Sequence, residues 1–294
     1  MTSPSRPAAR PSSATLAYEV VDVFTDRAFS GNPLAVVLDA DDLPTAAMQA
    51  LAAEFGLSET AFPLRADDGA DYRLRIFTPT VELPFAGHPS VGAAWVLHRL
   101  GRLPAGERVQ SCGVGLLPVH VAADEVVLSG GEPSTGPELD AAPLLAAVGL
   151  APGDLAGTPR RAGCGIDFTY LPVRDDAVAR AVPDAGALRA LPLGTGLSVT
   201  AWADGSAHSR VFVPEVGVAE DPATGSAAVG LGAYAAAAGV LGDGEHAYVV
   251  RQGAELGRPS TLRCTVRVEG GRAVATTVAG SVVAVARGEV RRPG

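Results

Sequence analysis

Short runs of alternating apolar and polar residues and longer Ala-, Val- and Leu-rich runs follow one another along this chain. Alternation with a period of two predicts strands, and the longer runs predict helices. The predicted strands cover residues 18–24, 34–38, 73–77, 109–128, 168–173, 197–202, 210–213, 260–268, 272–278 and 281–286. The predicted helices cover residues 45–55, 91–100, 141–147 and 227–238. A Gly-, Pro- and Ser-rich stretch at 130–136 predicts the connection between two halves.

One strand–loop–helix pattern occurs twice. The sequence RIFTP at 75–79 aligns with RVFVP at 210–214, and GHPSVG at 87–92 aligns with GSAAVG at 225–230. The second copy is longer between its arginine and its glycine, in the stretch that contains Glu220 and Asp221. The repetition predicts a duplicated domain with a site between the halves. The different polar residues at equivalent loops favour a catalytic site over a merely symmetric one.

Each predicted helix of the repeat begins beside a glycine, Gly87 or Gly225. The free N–H groups and the positive end of the helix dipole would then face the loop, which suits a carboxylate. Ordinary capping accounts for the same residues, because Ser226 as N-cap and Pro89 in the first turn are common helix starts. The repetition, with acidic residues nearby, favours a binding site.

Composition limits the classes of function. With 294 residues, 47% of them hydrophobic, the chain can bury a large core, and two domains of about 130 residues are expected. A net charge of −9 and a pI near 5.0 argue against nucleic acid or an anionic membrane as partner. Residues 1–14 resemble a disordered tail without the apolar segment of a secretory signal, so the expected location is the cytoplasm.

The chain contains no lysine, since all 23 basic residues are arginine. A Schiff base through a lysine of this chain is therefore impossible. The three cysteines are isolated, the five histidines lack metal-binding spacing, and the Gly-rich stretches lack a dinucleotide-binding or P-loop context. We expect neither a metal nor a cofactor.

Two carboxylates are candidates for chemistry. Glu59 lies between a predicted helix and the apolar run after it, with no basic residue closer than Arg65. An apolar setting raises the pKa of a carboxyl group, as a general acid/base near neutral pH requires. A solvated glutamate beside a helix accounts for the same pattern. Asp221 precedes Pro222 and is equally suited to capping the following turn.

Several short motifs together indicate a family. They are DVFT at 22–25, FSGNP at 29–33, SET at 58–60, ELPFAGHP at 82–89, EDPATGSA at 220–227, QG at 252–253 and GRPS at 257–260. In these stretches, and in their order along nearly the whole chain, the sequence resembles the PhzF-like (phenazine biosynthesis) isomerase family of the diaminopimelate-epimerase fold.

The resemblance implies an α+β fold of two pseudo-symmetric domains, each a β-barrel-like sheet around a central helix. The expected halves are residues 15–130, joined by the last strand at about 281–290, and residues 131–280. The resemblance also implies a homodimer, a small-molecule carboxylate substrate and no cofactor. From the net charge given above, we expect no membrane or nucleic-acid partner.

The resemblance also assigns roles to single residues. Glu59 matches the general acid/base, His88 the active-site histidine, and Asp221 an aspartate that helps to hold the substrate. The glycines at the two helix starts, Gly87 and Gly225, belong with Ser226 to the predicted carboxylate site.

Thiol-dependent epimerases and racemases of the same fold carry cysteines where this chain has Ala86 and Thr224. Two-thiol racemisation is therefore not expected.

The leading hypothesis is a cofactor-independent isomerase of bacterial secondary metabolism, in which Glu59 relocates a proton on a small carboxylic or amino acid. Three alternatives stay open. The first is an epimerase or racemase with Glu59 and Asp221 as paired bases, and the second is a ligand-binding homologue without turnover. The third, a serine hydrolase using Ser226 and a histidine, is disfavoured because the chain lacks a GxSxG motif.

Overall fold

The computed structural model of the protein describes residues 14–67, 69–214 and 218–293, so the predicted tail falls outside it except for its last residue. The strands are β1 (Thr15–Val23), β2 (Asn32–Val37), β3 (Glu59–Leu64), β4 (Tyr72–Phe77), β5 (Glu82–Leu83), β6 (Gly106–Cys112), β7 (Gly115–Val121), β8 (Val126–Ser129), β9 (Pro133–Glu138), β10 (Arg160–Cys164), β11 (Asp167–Pro172), β12 (Leu197–Ala203), β13 (Ser206–Val213), β14 (Val218–Asp221), β15 (Gly244–Gln252), β16 (Ser260–Glu269), β17 (Arg272–Gly280) and β18 (Val282–Arg291). The helices are α1 (Thr45–Phe55), α2 (Gly87–Arg99), α3 (Ala141–Ala147), α4 (Asp175–Val178), α5 (Ala185–Arg189) and α6 (Gly225–Ala237).

The described strands form one continuous hydrogen-bonded network, in which each half of the chain supplies one sheet with the same internal order. In the first half the neighbours run β18–β1–β2–β3–β4–β6–β7–β8, parallel only at β2/β3 and β4/β6. In the second half they run β9–β10–β11–β12–β13–β15–β16–β17, parallel only at β11/β12 and β13/β15. The two lists match strand for strand, so the duplication in the sequence is a duplication of topology. An antiparallel pairing of β8 with β17 joins the halves.

A single long helix lies inside each sheet. Helix α2 contacts β1, β2, β3, β4, β7, β8 and β18, and α6 contacts β9, β10, β11, β16 and β17. Both helices are buried over most of their length, which explains why their sequences are apolar or small on nearly every face. The shorter helices pack outside the sheets, α1 on one apolar cluster and α3 and α5 on another. Each half is thus a barrel-like sheet around a central helix, as the resemblance implied.

The predicted connection at 130–136 is in part a strand. Strand β9 begins at Pro133 and pairs with β10, so only residues 130–132 link the sheets as irregular backbone. Composition suggested a linker because the stretch is rich in Gly, Pro and Ser. Prolines are tolerated here because β9 is the first strand of its sheet and needs hydrogen bonds on one side only. The last strand, β18, pairs with β1 of the first half.

The aligned arginines of the repeat make the same contacts in both halves. Arg75 donates to the two carboxylate oxygens of Glu82 at 2.7 and 2.6 Å, and Arg210 donates to those of Glu220 at 2.8 and 2.7 Å. Each guanidinium also lies 5.1 Å from the centre of the phenylalanine ring two positions later. Glu82 and Glu220 are therefore equivalent, and the extra residues of the second copy precede Glu220.

Candidate active site

The N-termini of α2 and α6 meet between the two halves. A Cβ atom added at Gly87 would lie 3.5 Å from both the Cα of Gly225 and the backbone nitrogen of Ser226. The residues before the helices, Ala86 and Thr224, provide no side-chain cap, and Ser226 lies at the second helical position instead of capping the helix. The first N–H groups of both helices are therefore not used by a capping side chain, and two positive helix ends point at one place.

The duplication shows which polar groups belong to one half only. Because Glu82 is equivalent to Glu220, Leu83 is the counterpart of Asp221. His88 and Ser226 stand at the same distance along the chain after Glu82 and Glu220, so Ser226 is the counterpart of His88.

The counterpart of Glu59 follows from the strand register. Phe77 pairs with Thr60 in the first half, and the equivalent Phe212 pairs with Leu197 in the second. Gly196, which precedes Leu197, therefore stands where the first half has Glu59. Each half supplies different groups, so the symmetric scaffold carries a single asymmetric acid–histidine–acid set.

Glu59 and His88 face each other with unused polar atoms. Glu59 is the first residue of β3, shortly after Gly56, which caps the C-terminus of α1 in a left-handed conformation. His88 is the second residue of α2 and is 5% exposed. Glu59 Oε2 lies 3.5 Å from His88 Nε2, and within the described ranges neither atom makes a hydrogen bond. Buried polar atoms are seldom left without partners, so the pair indicates a place for a ligand.

Asn32 connects the histidine to the aspartate. Its side-chain Nδ2 donates to Asp221 Oδ1 at 2.8 Å and to the carbonyl oxygen of Ala223 at 2.9 Å, and it lies 3.3 Å from His88 Nδ1. The amide Oδ1 accepts from the Ser58 hydroxyl at 3.3 Å. The amide nitrogen beside His88 Nδ1 cannot accept a hydrogen bond, which favours a neutral His88 with its proton on Nε2, directed towards Glu59.

Asp221 is fully engaged by its neighbours. Its Oδ1 accepts from Asn32, and its Oδ2 accepts from the Thr224 hydroxyl at 2.6 Å. The Gln252 amide nitrogen donates to the Asp221 carbonyl at 2.7 Å and to Thr224 Oγ1 at 3.0 Å. Unlike Glu59, Asp221 has no free carboxylate oxygen facing the site.

Burial shifts the pKa of all three groups towards their neutral forms. It raises the pKa of Glu59, outweighing the opposite effect of the Ser58 hydroxyl. It lowers the pKa of His88 to about 4 despite the nearby Asp221. Burial, together with the charge of Glu59, raises the pKa of Asp221 to about 6 against the hydrogen bonds from Thr224 and Asn32. The histidine is therefore uncharged near neutral pH, while each acid keeps its proton to a higher pH than an ordinary carboxyl group does.

A cavity of about 240 Å³ opens at the two helix ends. Its walls come from both halves: Phe85, Gly87, Val114, Leu117, Leu128, Ser129, Gly130, Gly131, Cys164, Gly165, Ile166, Gly225, Ser226, Val229 and Val278. The predicted carboxylate-binding residues line it, whereas Glu59, His88 and Asp221 do not. The acid–histidine set adjoins the cavity through Gly87, the neighbour of His88 in α2.

Sequence reasoning assigned no role to four residues of this network. Asn32, Ser58, Thr224 and Gln252 all lie in the motif stretches of the resemblance, which was the available signal. Their roles depend on contacts between distant segments, as with Asn32 and Asp221, which are 189 positions apart.

Within the described ranges, no three His, Cys, Asp or Glu side chains are grouped as metal ligands would be. No described helix combines the length and apolar character needed to cross a membrane.

Comparison with known proteins identifies the family. The sequence profile of the PhzC-PhzF family, described as phenazine biosynthesis-like protein, matches residues 21–288. The chain belongs to this family. It is 36% identical to trans-2,3-dihydro-3-hydroxyanthranilate isomerase of Pseudomonas aeruginosa over 92% of this chain and 98% of that protein. It is 35% identical to an uncharacterized isomerase of Mesorhizobium japonicum over 93% and 98% of the two chains.

Solved structures agree with this assignment. A PhzF-family phenazine biosynthesis protein of Bacillus anthracis superposes with a TM-score of 0.85 at 27% identity, covering 94% of this chain and 99% of that one. A hydroxyproline epimerase of Agrobacterium vitis shares only the fold, with a TM-score of 0.65 at 14% identity over 95% and 93% of the chains. The predicted family and fold are confirmed, and the protein is an isomerase of the PhzF type.

Proposed function

We propose that this isomerase relocates a proton on a small unsaturated carboxylic acid without a cofactor, with Glu59 as the acid/base. The observation that carries the proposal is the buried, unpartnered Glu59 Oε2, 3.5 Å from the equally unpartnered Nε2 of His88. Burial raises the pKa of Glu59, which is the direction that a group taking and returning a proton near neutral pH requires.

The substrate carboxylate would lie at the two helix ends. The free N–H groups beside Gly87 and Ser226 and the two helix dipoles favour a negative charge there. The mainly apolar cavity walls suit a hydrocarbon ring or chain attached to that carboxylate. We therefore infer a compact carboxylic acid, in the class of the dihydro-hydroxyanthranilate on which the Pseudomonas aeruginosa relative acts.

The reaction then needs no group from outside the protein and substrate. Ionised Glu59 takes the proton of an activated C–H bond, and the electron pair of that bond spreads into the double bonds conjugated with the carboxylate. The helix ends stabilise the charge that develops, and neutral His88 can donate a hydrogen bond from Nε2. Protonated Glu59, whose carboxyl proton can first exchange with solvent, then delivers a proton to another carbon, so one proton is removed and one is added and no electron is gained or lost.

The geometry favours this reaction over epimerisation by two opposed bases. A second base would have to be Asp221, whose two oxygens already accept from Asn32 and Thr224. The hydrolase alternative lacks its base, because no histidine in the described ranges hydrogen-bonds Ser226.

Deuterium uptake in heavy water tests the proposal. Trans-2,3-dihydro-3-hydroxyanthranilate and a panel of small amino and dienoic acids are incubated with the protein, and the products are analysed by mass spectrometry and proton NMR. We expect deuterium in an isomerised product from the wild type and a loss of about a hundredfold or more in Glu59→Gln. Glu54→Gln, which changes an exposed glutamate of α1, is the matched control.

Wild-type rates from Glu59→Gln would refute the assigned base. Binding without deuterium uptake for every compound would support the ligand-binding alternative. Uptake at the original carbon with inversion and no double-bond shift would support epimerisation.

A further inference from the structure

The duplicated halves differ sharply in one connection beside the site. In the first half, β6 and β7 are joined by the two-residue turn of Gly113 and Val114, whereas the loop 253–259 joins the equivalent β15 and β16. Gly113 and Gly253 are equivalent, because an added Cβ would meet Pro84 Cα at 2.6 Å in one half and Pro222 O at 2.5 Å in the other. The second half thus carries extra residues that the common fold does not require.

Arg258 of this loop reaches across to the first half. Its Nε donates to the carbonyl oxygen of Gly31 at 2.7 Å, and its Nη2 donates to the carbonyl of Ser30 at 2.8 Å. Nη2 also meets Asp22 Oδ1 at 2.5 Å, and the Asp22 side chain is only 2% exposed. The backbone adds one bond, from Gly31 N to Pro259 O at 3.2 Å.

The segment that Arg258 holds has an unfavourable backbone. Phe24 and Phe29 have positive φ angles of 64° and 66°, which bulky residues adopt only when the surroundings impose them. Phe29 is 74% exposed, so its side chain is not an apolar anchor. Phe24 is fully buried in the core, so apolar contacts hold the start of the segment, while polar contacts hold its later part, including the bond from Phe29 N to Asp22 Oδ2 at 2.6 Å.

The same loop also touches the segment that carries Asp221. Gly253 packs against Pro222, and the Ser260 hydroxyl lies 2.9 Å from the Pro222 carbonyl and 3.0 Å from the carbonyl of Arg258. The backbone of Arg258 is therefore placed relative to Asp221, while its side chain is bound to the residues that directly precede Asn32.

We propose that Arg258 is a positioning residue, which fixes residues 30 and 31 so that the Asn32 amide bridges Asp221 and His88. The symmetry-related positions support a role in the site. The short turn of the first half carries no arginine, and the residues equivalent to Asp221 and His88 are Leu83 and Ser226, which form no such acid–histidine pair. The placement of Asn32 follows from these contacts alone, whereas the effect on turnover rests on the proposed function.

The test uses Arg258→Met and Arg258→Lys in the full chain. Lysine keeps a charge beside Asp22 but lacks the planar set of donors that reaches three acceptors. Arg263→Met is the matched control, since Arg263 also pairs across the halves, with Glu125 at 2.5 Å, without contacting Asn32. The first readout is the side-chain amide NMR signal of Asn32, assigned by its absence in Asn32→Asp. The second is the separation of kcat from KM in the deuterium assay.

We expect both Arg258 variants to move or broaden the Asn32 signal and Arg263→Met to leave it unchanged. In Arg258→Met, kcat should fall about tenfold or more while KM stays within about twofold, because a displaced catalytic group costs rate more than binding. If Arg258→Met does not fold, the same two measurements on Arg258→Lys test the inference.

An Asn32 signal and a kcat that match wild type in a folded Arg258 variant would overturn the inference. A shifted Asn32 signal in a protein whose wild type turns over no compound would support the positioning role and refute the proposed function.

Discussion

Adding one methyl group at the contact between the two helix ends tests the carboxylate site directly. In Gly87→Ala the new Cβ would lie 3.5 Å from Gly225 Cα and from Ser226 N, which is ordinary van der Waals contact. No clash is created, and Gly87 does not have a positive φ angle, so alanine fits the backbone. The methyl group would nevertheless cover the Ser226 N–H that we assign to the substrate carboxylate.

The expected effects on stability and on binding have opposite signs. Replacing glycine by alanine in a helix stabilises by roughly 0.5–1 kcal/mol at most, so the free energy of unfolding should stay the same or rise slightly. A hydrogen bond to a charged group contributes about 1.5–3 kcal/mol, so losing one should weaken carboxylate binding about 10- to 100-fold. A loss of binding without a loss of stability separates the site from the scaffold.

Calorimetric titration with 2-aminobenzoate and with aniline, the same ring without the carboxylate, measures the effect. We expect Gly87→Ala to weaken binding of the acid and to leave any binding of aniline unchanged. Gly153→Ala is the control, because Gly153 has no positive φ angle and an added Cβ would meet no atom within 4 Å. If Gly87→Ala keeps its melting temperature and binds the acid as tightly as wild type, the helix ends are not the carboxylate site.

Three further predictions concern pH, ion pairing and cofactors. The pKa of His88 is about 4 in the folded state against an ordinary 6.5, so the unfolded chain binds a proton at this histidine first as the pH falls, and the free energy of unfolding decreases between pH 6.5 and 4. His88→Gln should reduce this decrease in urea unfolding experiments at several pH values. The same pH dependence in the variant and the wild type would contradict the lowered pKa. Arg210→Gln should cost about 3–5 kcal/mol in denaturant unfolding, because it leaves the 8%-exposed Glu220 side chain unpaired. Arg75→Gln should cost clearly less, since the partner of Arg75 is 37% exposed, and equal costs would refute the argument. Isomerase activity should survive exhaustive dialysis against a chelator, and activity restored only by added metal or pyridoxal phosphate would overturn the cofactor-free proposal.

Local patterns in the sequence predicted much of the architecture. Alternation located most strands, and the Ala-rich runs located the two central helices, because periodicity reports which faces of an element are buried. The repeat predicted the duplication that the matching strand orders display. Glu59 stood out because its apolar neighbours predicted burial, and burial is what raises its pKa.

The arrangement of the site was decided by the tertiary structure. The sequence identified Glu59, His88 and Asp221 as candidates, but their linkage through Asn32 depends on contacts between segments up to 189 positions apart. The contacts of Arg258 could not be predicted from the sequence either, since its partner Asp22 lies 236 positions away. A sequence pattern encodes which residues are buried and in which element, because those properties depend on near neighbours. Which buried groups meet depends on strand order and on the packing of the halves, and only the folded chain sets that geometry.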